Sequence, residues 1–289
     1  MEKYREIIDN WQKFQEHADK HAQSTVRRNP LKAGGDFEEK LSEHFKFEQA
    51  KWNQKVYRVK TETPGKSILQ WRGNYYVQEE SASLPVKVLE PQEDEKILDM
   101  CAAPGGKTTQ IAAQTRNNAD IIANDESQNR IQSLQMNIYR TGAASATVTN
   151  YDGRNMPENE QFDKILLDAP CTGEGDRYRR TFEPADKSEI KGLSSLQKEL
   201  LEKAEKMLKP GGTLVYSTCT INPFENEAVV KYAVENTDLE LEDIETDITH
   251  TRGVSRFEDE NYGAEMNKTV RVYPHHMNSG VIYVAKFTK

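Results

Sequence analysis

The chain has 289 residues, of which 36% are hydrophobic and 30% charged, with a mean hydropathy of -0.85 and a formal net charge of -8. These values fit a soluble globular protein of one large domain, or one domain with a smaller partner. They exclude a membrane protein, since no apolar run approaches the ~20 residues of a spanning helix. The charged start "MEKYREIIDNWQKFQEHADK" has no apolar signal core, which predicts a cytoplasmic location.

Three cysteines, Cys101, Cys171 and Cys219, are odd in number and widely spread. That argues against a disulfide framework, and without short paired spacings no metal is expected. The acidic balance alone argues against a nucleic-acid partner, because phosphates draw lysine and arginine. Basic groups nevertheless gather in "RRNPLK" (27–32) and "DRYRR" (176–180), while the acidic run 235–247 reads as a solvated face.

In chain order, residues 1–75 read as an N-terminal helix followed by a small α+β module carried by "STVRRNPLK", the helix-like "FEEKLSEHF", "VYRVK" and "ILQWRGNYYV". Residues 76–289 form the larger domain. From about residue 95 strands and helices alternate: strand "EKILDM" (95–100), helix "TTQIAAQ", strand "ADIIAND" (119–125), helix 127–142 and strand "SATVTN" (145–150). Strand "FDKILLD" (162–168), a helix over 194–208 and strand "GTLVYSTC" (212–219) follow. In the last helix Leu196, Leu200, Leu201, Ala204 and Leu208 share one stripe, and "KPGG" ends it. The final strand, within 280–289, comes after a long loop. This order predicts an α/β fold, a doubly wound Rossmann-like sheet, mostly parallel with its last strand antiparallel.

The first strand–helix turn, "DMCAAPGGKT" (99–108), is a glycine loop opening a helix, a natural ligand cradle. It lacks the upstream glycine of a phosphate-binding loop, whose position Cys101 occupies. Asp125 ends the second strand at the spacing that holds ribose hydroxyls. Asp152, after the third, could accept from an adenine amine. Alone, each aspartate reads as a helix cap or surface turn; together they outline a nucleoside pocket that suits S-adenosylmethionine better than a nicotinamide. Cys171 and Cys219 then lie at two further strand ends, with Asp168 just ahead of Ala169-Pro170-Cys171.

The ordered motifs "YVQEESASLP", "DMCAAPGGKT", "NDESQNR", "YDGR", "LLDAPCTGEG", "YSTCTINPFENE" and "RVYPHH" resemble the RNA 5-methylcytosine methyltransferases of the Fmu/Sun type, from about residue 26 to the end. The resemblance implies a class I S-adenosylmethionine-dependent fold with an RNA-recognition-like module in front. It implies RNA as substrate, with tRNA favoured over rRNA; separately, a monomer is expected. Catalysis would fall to Cys219 as the thiol adding to cytosine C6, Cys171 as the thiol assisting release, and Asp168 as a buried, protonated acid facing N3. Cys101, Ala102, Ala103, Pro104, Gly105, Gly106 and Lys107 would cradle the cofactor's methionine part, Asp125 would take the ribose hydroxyls and Asp152 the adenine amine, with Asp168 and Arg130, which matches the family's arginine, also at the cofactor. For RNA, Arg177, Tyr178, Arg179 and Arg180 would lie at the site mouth, with Arg27 and Arg28 as a second surface. His275 and His276 read as framework near the site. A non-catalytic RNA-binding protein is the rival class, disfavoured because both cysteines and Asp168 are present.

Overall fold

The computed structural model describes residues 2–18, 20, 22–175 and 185–289. After the N-terminal helix α1 (Trp11–Ala18), the chain forms β1 (Thr25–Arg28), α2 (Phe37–Ser42), β2 (Phe47–Gln49), β3 (Val56–Val59), α3 (Ile68–Trp71) and β4 (Tyr75–Val77). The four strands make an antiparallel sheet in the order β2-β3-β1-β4, so the module runs β-α-β-β-α-β. Val26, Phe37, Leu41, Tyr57 and Tyr75 fill its core. The stretch "ILQWRGNYYV" divides in two because Ser67 Oγ accepts from Leu69 N at 3.0 Å and caps α3. Gly73, at φ 75, then turns the chain into β4.

Residues 1–75 are not one packing unit. Tyr4, Ile8 and Phe14 bury themselves in the core of the larger domain, away from the module core. A boundary between 75 and 76 passes through β4.

The larger domain continues with α4 (Leu84–Leu89), β5 (Lys96–Asp99), α5 (Gly106–Gln114), β6 (Asp120–Asn124), α6 (Gln128–Thr141), β7 (Ala146–Thr149) and β8 (Phe162–Asp168). Then come α7 (Lys187–Met207), β9 (Leu208–Thr218), α8 (Glu227–Asn236), β10 (Glu240–Glu242), β11 (Thr251–Arg252), the small hairpin β12 (Arg256–Phe257) and β13 (Glu260–Asn261), β14 (Val270–Val272), α9 (Pro274–Met277) and β15 (Ile282–Thr288). The sheet order is β11-β14-β15-β9-β8-β5-β6-β7, with β10 also on β15. Strands β5 to β9 pair in parallel and β15 pairs antiparallel with β9. Strands such as "KILD" and "KILLD" bury residues on both faces because helices cover both. Leu84, Leu89 and Ile111 of α4 and α5 pack on one side, and Leu200, Leu201, Val229 and Val230 of α7 and α8 on the other. Among the described residues no helix is long and apolar enough to cross a membrane.

Three expectations change. Helix α7 begins at Lys187, because Asp186 accepts from Ser188 N at 3.1 Å and Ile190 extends the buried stripe. Leu208 does not finish that stripe but starts β9. The "KPGG" segment is a bulge, in which pairing jumps from Phe162–Leu208 to Lys164–Thr213. Finally, the stretch before β15 is no simple loop, since it contains α8 and β10 to β14.

The strand order reverses at β5, which lies between β6 and β8. A crevice therefore opens beyond the carboxyl ends of these strands, as at the switch point of any doubly wound sheet.

Candidate active site

The loop after β5 and the end of β8 line a cavity of about 240 Å³, together with Tyr76 and Gln78 of the module side. Gly105, at φ 98, forms the N-cap of α5, and a Cβ there would come within 2.9 Å of Leu134. Only glycine fits both the conformation and the close helix packing.

Asp125 is 2% exposed and fastens this loop. Its Oδ2 accepts from Ala103 N at 3.1 Å and its Oδ1 from Ser127 N at 3.0 Å. Arg130 reaches the same place, 3.5 Å from Asp125 Oδ2, and donates to the Ala103 carbonyl. Asp152 stands apart. It caps the turn Gly153–Asn155, and Arg154 occupies both its oxygens at 3.0 Å and 2.6 Å, holding the carboxyl below its usual range. It does not line the cavity.

Asp99, which sequence reading left as the last residue of a strand, lines the cavity and is fully buried. Thr108 Oγ1 donates to Oδ2 at 2.6 Å, while Oδ1 has no hydrogen-bond partner among the described residues. Burial pushes the carboxyl up to about 7, against the pull of the Thr108 hydrogen bond. The available signal was an acid directly before a glycine loop. Cys101 sits among Asp99, Asp125 and Asp168; burial and these three carboxylates push it well up, so it stays a thiol.

The raised Asp99 gives a pH prediction. The folded state favours its protonated form, so this contribution is full below the ordinary carboxyl range and is lost as pH climbs through about 7. Between pH 6 and 8 the protein should lose roughly 1 kcal/mol of stability through this group. Asp99→Asn, neutral throughout, should lack that slope in urea denaturation; equal slopes would mean that Asp99 is ionised in the folded protein.

The two motif cysteines meet, with Sγ atoms 3.4 Å apart. Cys219 is exposed and Cys171 half-buried. Their loops are tied by Thr172 Oγ1 and Thr220 Oγ1 at 3.1 Å. Thr172 also donates to buried Glu225 from its amide at 2.9 Å and its hydroxyl at 2.5 Å. On the other side, Asn226 accepts from Thr218 Oγ1 at 2.5 Å and donates to Thr220 O at 2.8 Å, bracketing Cys219. Glu225 and Asn226 belong to "NPFENE", quoted as motif text in the sequence but given no role there. The hydrogen bond to Cys219, then burial, push the Cys171 thiol well above its ordinary range.

Asp168 differs from expectation. Its side chain is 30% exposed, and both oxygens accept: Oδ2 from Lys107 Nζ at 2.6 Å and Oδ1 from Ser217 Oγ at 2.7 Å. Burial works against the Lys107 ammonium, but Asp168 outweighs it and Lys107 is raised. Lys107 therefore stays charged and pairs with Asp168, which is part-exposed here and not the buried group expected.

Arg27 is turned away from the surface, whereas Arg28 is half-buried. Arg27 is 4% exposed and struts the module against the cofactor loop, donating to Gln78 Oε1 at 2.9 Å, Gly106 O at 2.9 Å and Thr109 Oγ1 at 3.0 Å. Arg28 donates to Gly34 O at 2.8 Å and lies over the Phe37 ring. Arg177, Tyr178, Arg179 and Arg180 fall outside the described residues. His275 and His276 hold Asp9, each Nε2 lying 3.1 Å or 3.0 Å from Oδ1. His276 Nδ1 accepts from Tyr273 N at 3.2 Å, so its Nε2 carries the proton and donates to the carboxylate. The pair thus pins the N-terminal segment beside the catalytic loops.

A doubly wound sheet of this order, with a cradle at its switch point, fits a Rossmann-like S-adenosylmethionine-dependent methyltransferase. The chain belongs to the RsmB/F family of these enzymes: the family described as 16S rRNA methyltransferase RsmB/F matches residues 86–288. It is 37% identical to the tRNA (cytosine(49)-C(5))-methyltransferase of Pyrococcus abyssi, across 100% of this chain and 95% of that protein. It is 40% identical to the 28S rRNA (cytosine-C(5))-methyltransferase of Mus musculus over 75% of this chain but only 28% of that one. The crystal structure of a methyltransferase homologue from Pyrococcus horikoshii superposes with a TM-score of 0.85 at 33% identity, covering 96% of this chain and 90% of that one.

Proposed function

We propose that this RNA (cytosine-C5)-methyltransferase acts on tRNA, in the cytoplasm and as a monomer, through a transient bond from Cys219 to cytosine C6. The observation that carries the mechanism is the pair of sulfurs 3.4 Å apart with unequal surroundings. Support for tRNA comes from the near-complete mutual coverage with the archaeal tRNA enzyme.

S-adenosylmethionine, when bound, supplies the electrophilic methyl group. The residues present suit it. The 101–107 loop offers a cradle closed by Gly105, and the unsatisfied Asp99 Oδ1 calls for a donor such as the cofactor's ammonium. Asp125 and Arg130 do not line the cavity themselves but hold the loop beside the place where ribose hydroxyls would bind.

Cytosine C5 is a weak nucleophile. Addition of the exposed Cys219 sulfur to C6 gives C5 carbanion character, and the Lys107–Asp168 pair offers a proton to N3 as charge develops in the ring. After transfer the C5 proton passes to solvent water at the open crevice, the C6–S bond breaks with Cys219 leaving as thiolate, and the proton on N3 returns to the Lys107–Asp168 pair. Cys171, held as a thiol against the attacking sulfur, suits proton management at release rather than attack. The target base must leave its stack to enter this crevice.

Purified protein incubated with S-adenosylmethionine and unmodified transcripts should form 5-methylcytosine in tRNA, read by nucleoside mass spectrometry. Product in rRNA alone would move the substrate; none in either would sink the reading. The rate should also fall steeply with added salt, as phosphate contacts release counterions. Replacing Arg177, Arg179 and Arg180 together with alanine should flatten that fall.

A further inference from the structure

Among the described residues five large apolar side chains are exposed, and four lie on two helices: Ile68 and Trp71 on α3, Met136 and Tyr139 on α6. Trp71 is 77% exposed and Tyr139 85%. The helices abut at their carboxyl ends. Arg140 Nη1 donates to Gln70 O at 2.7 Å and to Tyr75 O at 3.3 Å, and a Cβ on Gly73 would strike Arg140 O at 2.0 Å. The four side chains therefore lie on adjoining helices, one from the small module and one from the catalytic domain, whose exposed sides together make an α3–α6 face.

Its charge is unlike the rest of the chain. The protein has 47 acidic residues and a net charge of -8, yet neither 63–78 nor 127–151 contains one aspartate or glutamate. Lys66 and Arg72 lie exposed beside α3, and the stem of exposed Lys32 rests against Gly142 at the end of α6. Polyanions are repelled by an acidic surface in general and admitted here. Exposed planar rings among cations and amides are what unpaired bases stack on. The face also adjoins the catalytic crevice, because Asn137 of α6 donates to Pro104 O of the cofactor loop at 3.0 Å.

We propose that this α3–α6 face is a docking platform for an unpaired stretch of the substrate RNA, with Trp71 and Tyr139 each stacking on a base and Lys32, Lys66 and Arg72 meeting phosphates. The inference rests on the proposed RNA substrate and adds where, outside the crevice, that substrate is gripped.

The test is anisotropy of a labelled tRNA transcript, which reads binding without methyl transfer. Trp71→Ala and Tyr139→Ala should each raise Kd about tenfold or more, while Trp71→Phe retains most of the affinity. S-adenosylmethionine binding and the rate at saturating RNA should stay at wild-type values, which also shows that the variants are folded. Unchanged RNA affinity in the double alanine variant overturns the proposal. So does sedimentation showing a wild-type dimer that the double variant dissolves with RNA affinity intact, which would make the occupant a second copy of the chain. A wild type that binds RNA through Trp71 yet forms no 5-methylcytosine would refute the proposed reaction and leave this surface standing.

Discussion

Cys219→Ala is expected to lose methyl transfer by more than about a thousandfold, because no other thiol is as open to the base. Cys171→Ala should keep the attack and the transfer but release slowly, accumulating a covalent enzyme–RNA complex that survives a denaturing gel. The argument is in the surroundings of the two sulfurs. Cys219 is exposed and bracketed by Asn226 through Thr218 and Thr220, whereas Cys171 is half-buried with its thiol pushed up. A thiol that keeps its proton is a poor nucleophile. The Cys171→Ala/Cys219→Ala double variant should show no slow band. A band in Cys219→Ala with none in Cys171→Ala would reverse the two roles.

Much of this was readable before any coordinates. Buried parallel strands leave continuous apolar runs, so β5, β6, β7 and β8 were found within a residue or two of their ends. The strand-end positions of Asp125, Asp168, Cys171 and Cys219 followed from those runs. What stayed hidden depends on contacts distant in sequence. Arg27 belongs to a basic cluster in the linear chain, but the alternation of β1 turns it inward onto Gly106, 79 residues away. Lys107 and Asp168 become partners only because β5 and β8 are neighbours in the sheet. Asp99 was overlooked because a buried carboxylate at a strand end looks like the strand's boundary. The bulge at 208–212 escaped because "KPGG" is an equally good helix terminator and strand distortion. The aromatic face could not be seen at all, since Trp71 and Tyr139 are 68 positions apart and join only where the module meets α6.

Arg271→Met is expected to destabilise the fold by about 3–5 kcal/mol, the usual effect of stripping one partner from a buried ion pair. Arg271 is 2% exposed and Glu227 fully buried. Arg271 Nε donates to Glu227 Oε1 at 2.6 Å, Nη2 donates to Oε2, and Nη1 donates to Ile221 O at 2.9 Å, two residues past Cys219. Burial alone would weaken the guanidinium charge, but Glu227 outweighs it and keeps Arg271 charged. Removing the cation leaves a carboxylate with no counter-charge beneath the Thr-Cys loop. Adding Glu227→Gln should recover much of the loss, because the amide oxygen can still accept from Val254 N, now 3.0 Å from Glu227 Oε1, without burying a charge. Urea denaturation of the single and double variants measures both steps. A single variant within about 1 kcal/mol of wild type would mean that water reaches Glu227 and that the pair is not a closed part of the core. Because the same guanidinium holds Ile221, the double variant should regain stability while Cys219 chemistry stays slow, which separates the support of the loop from the support of the fold.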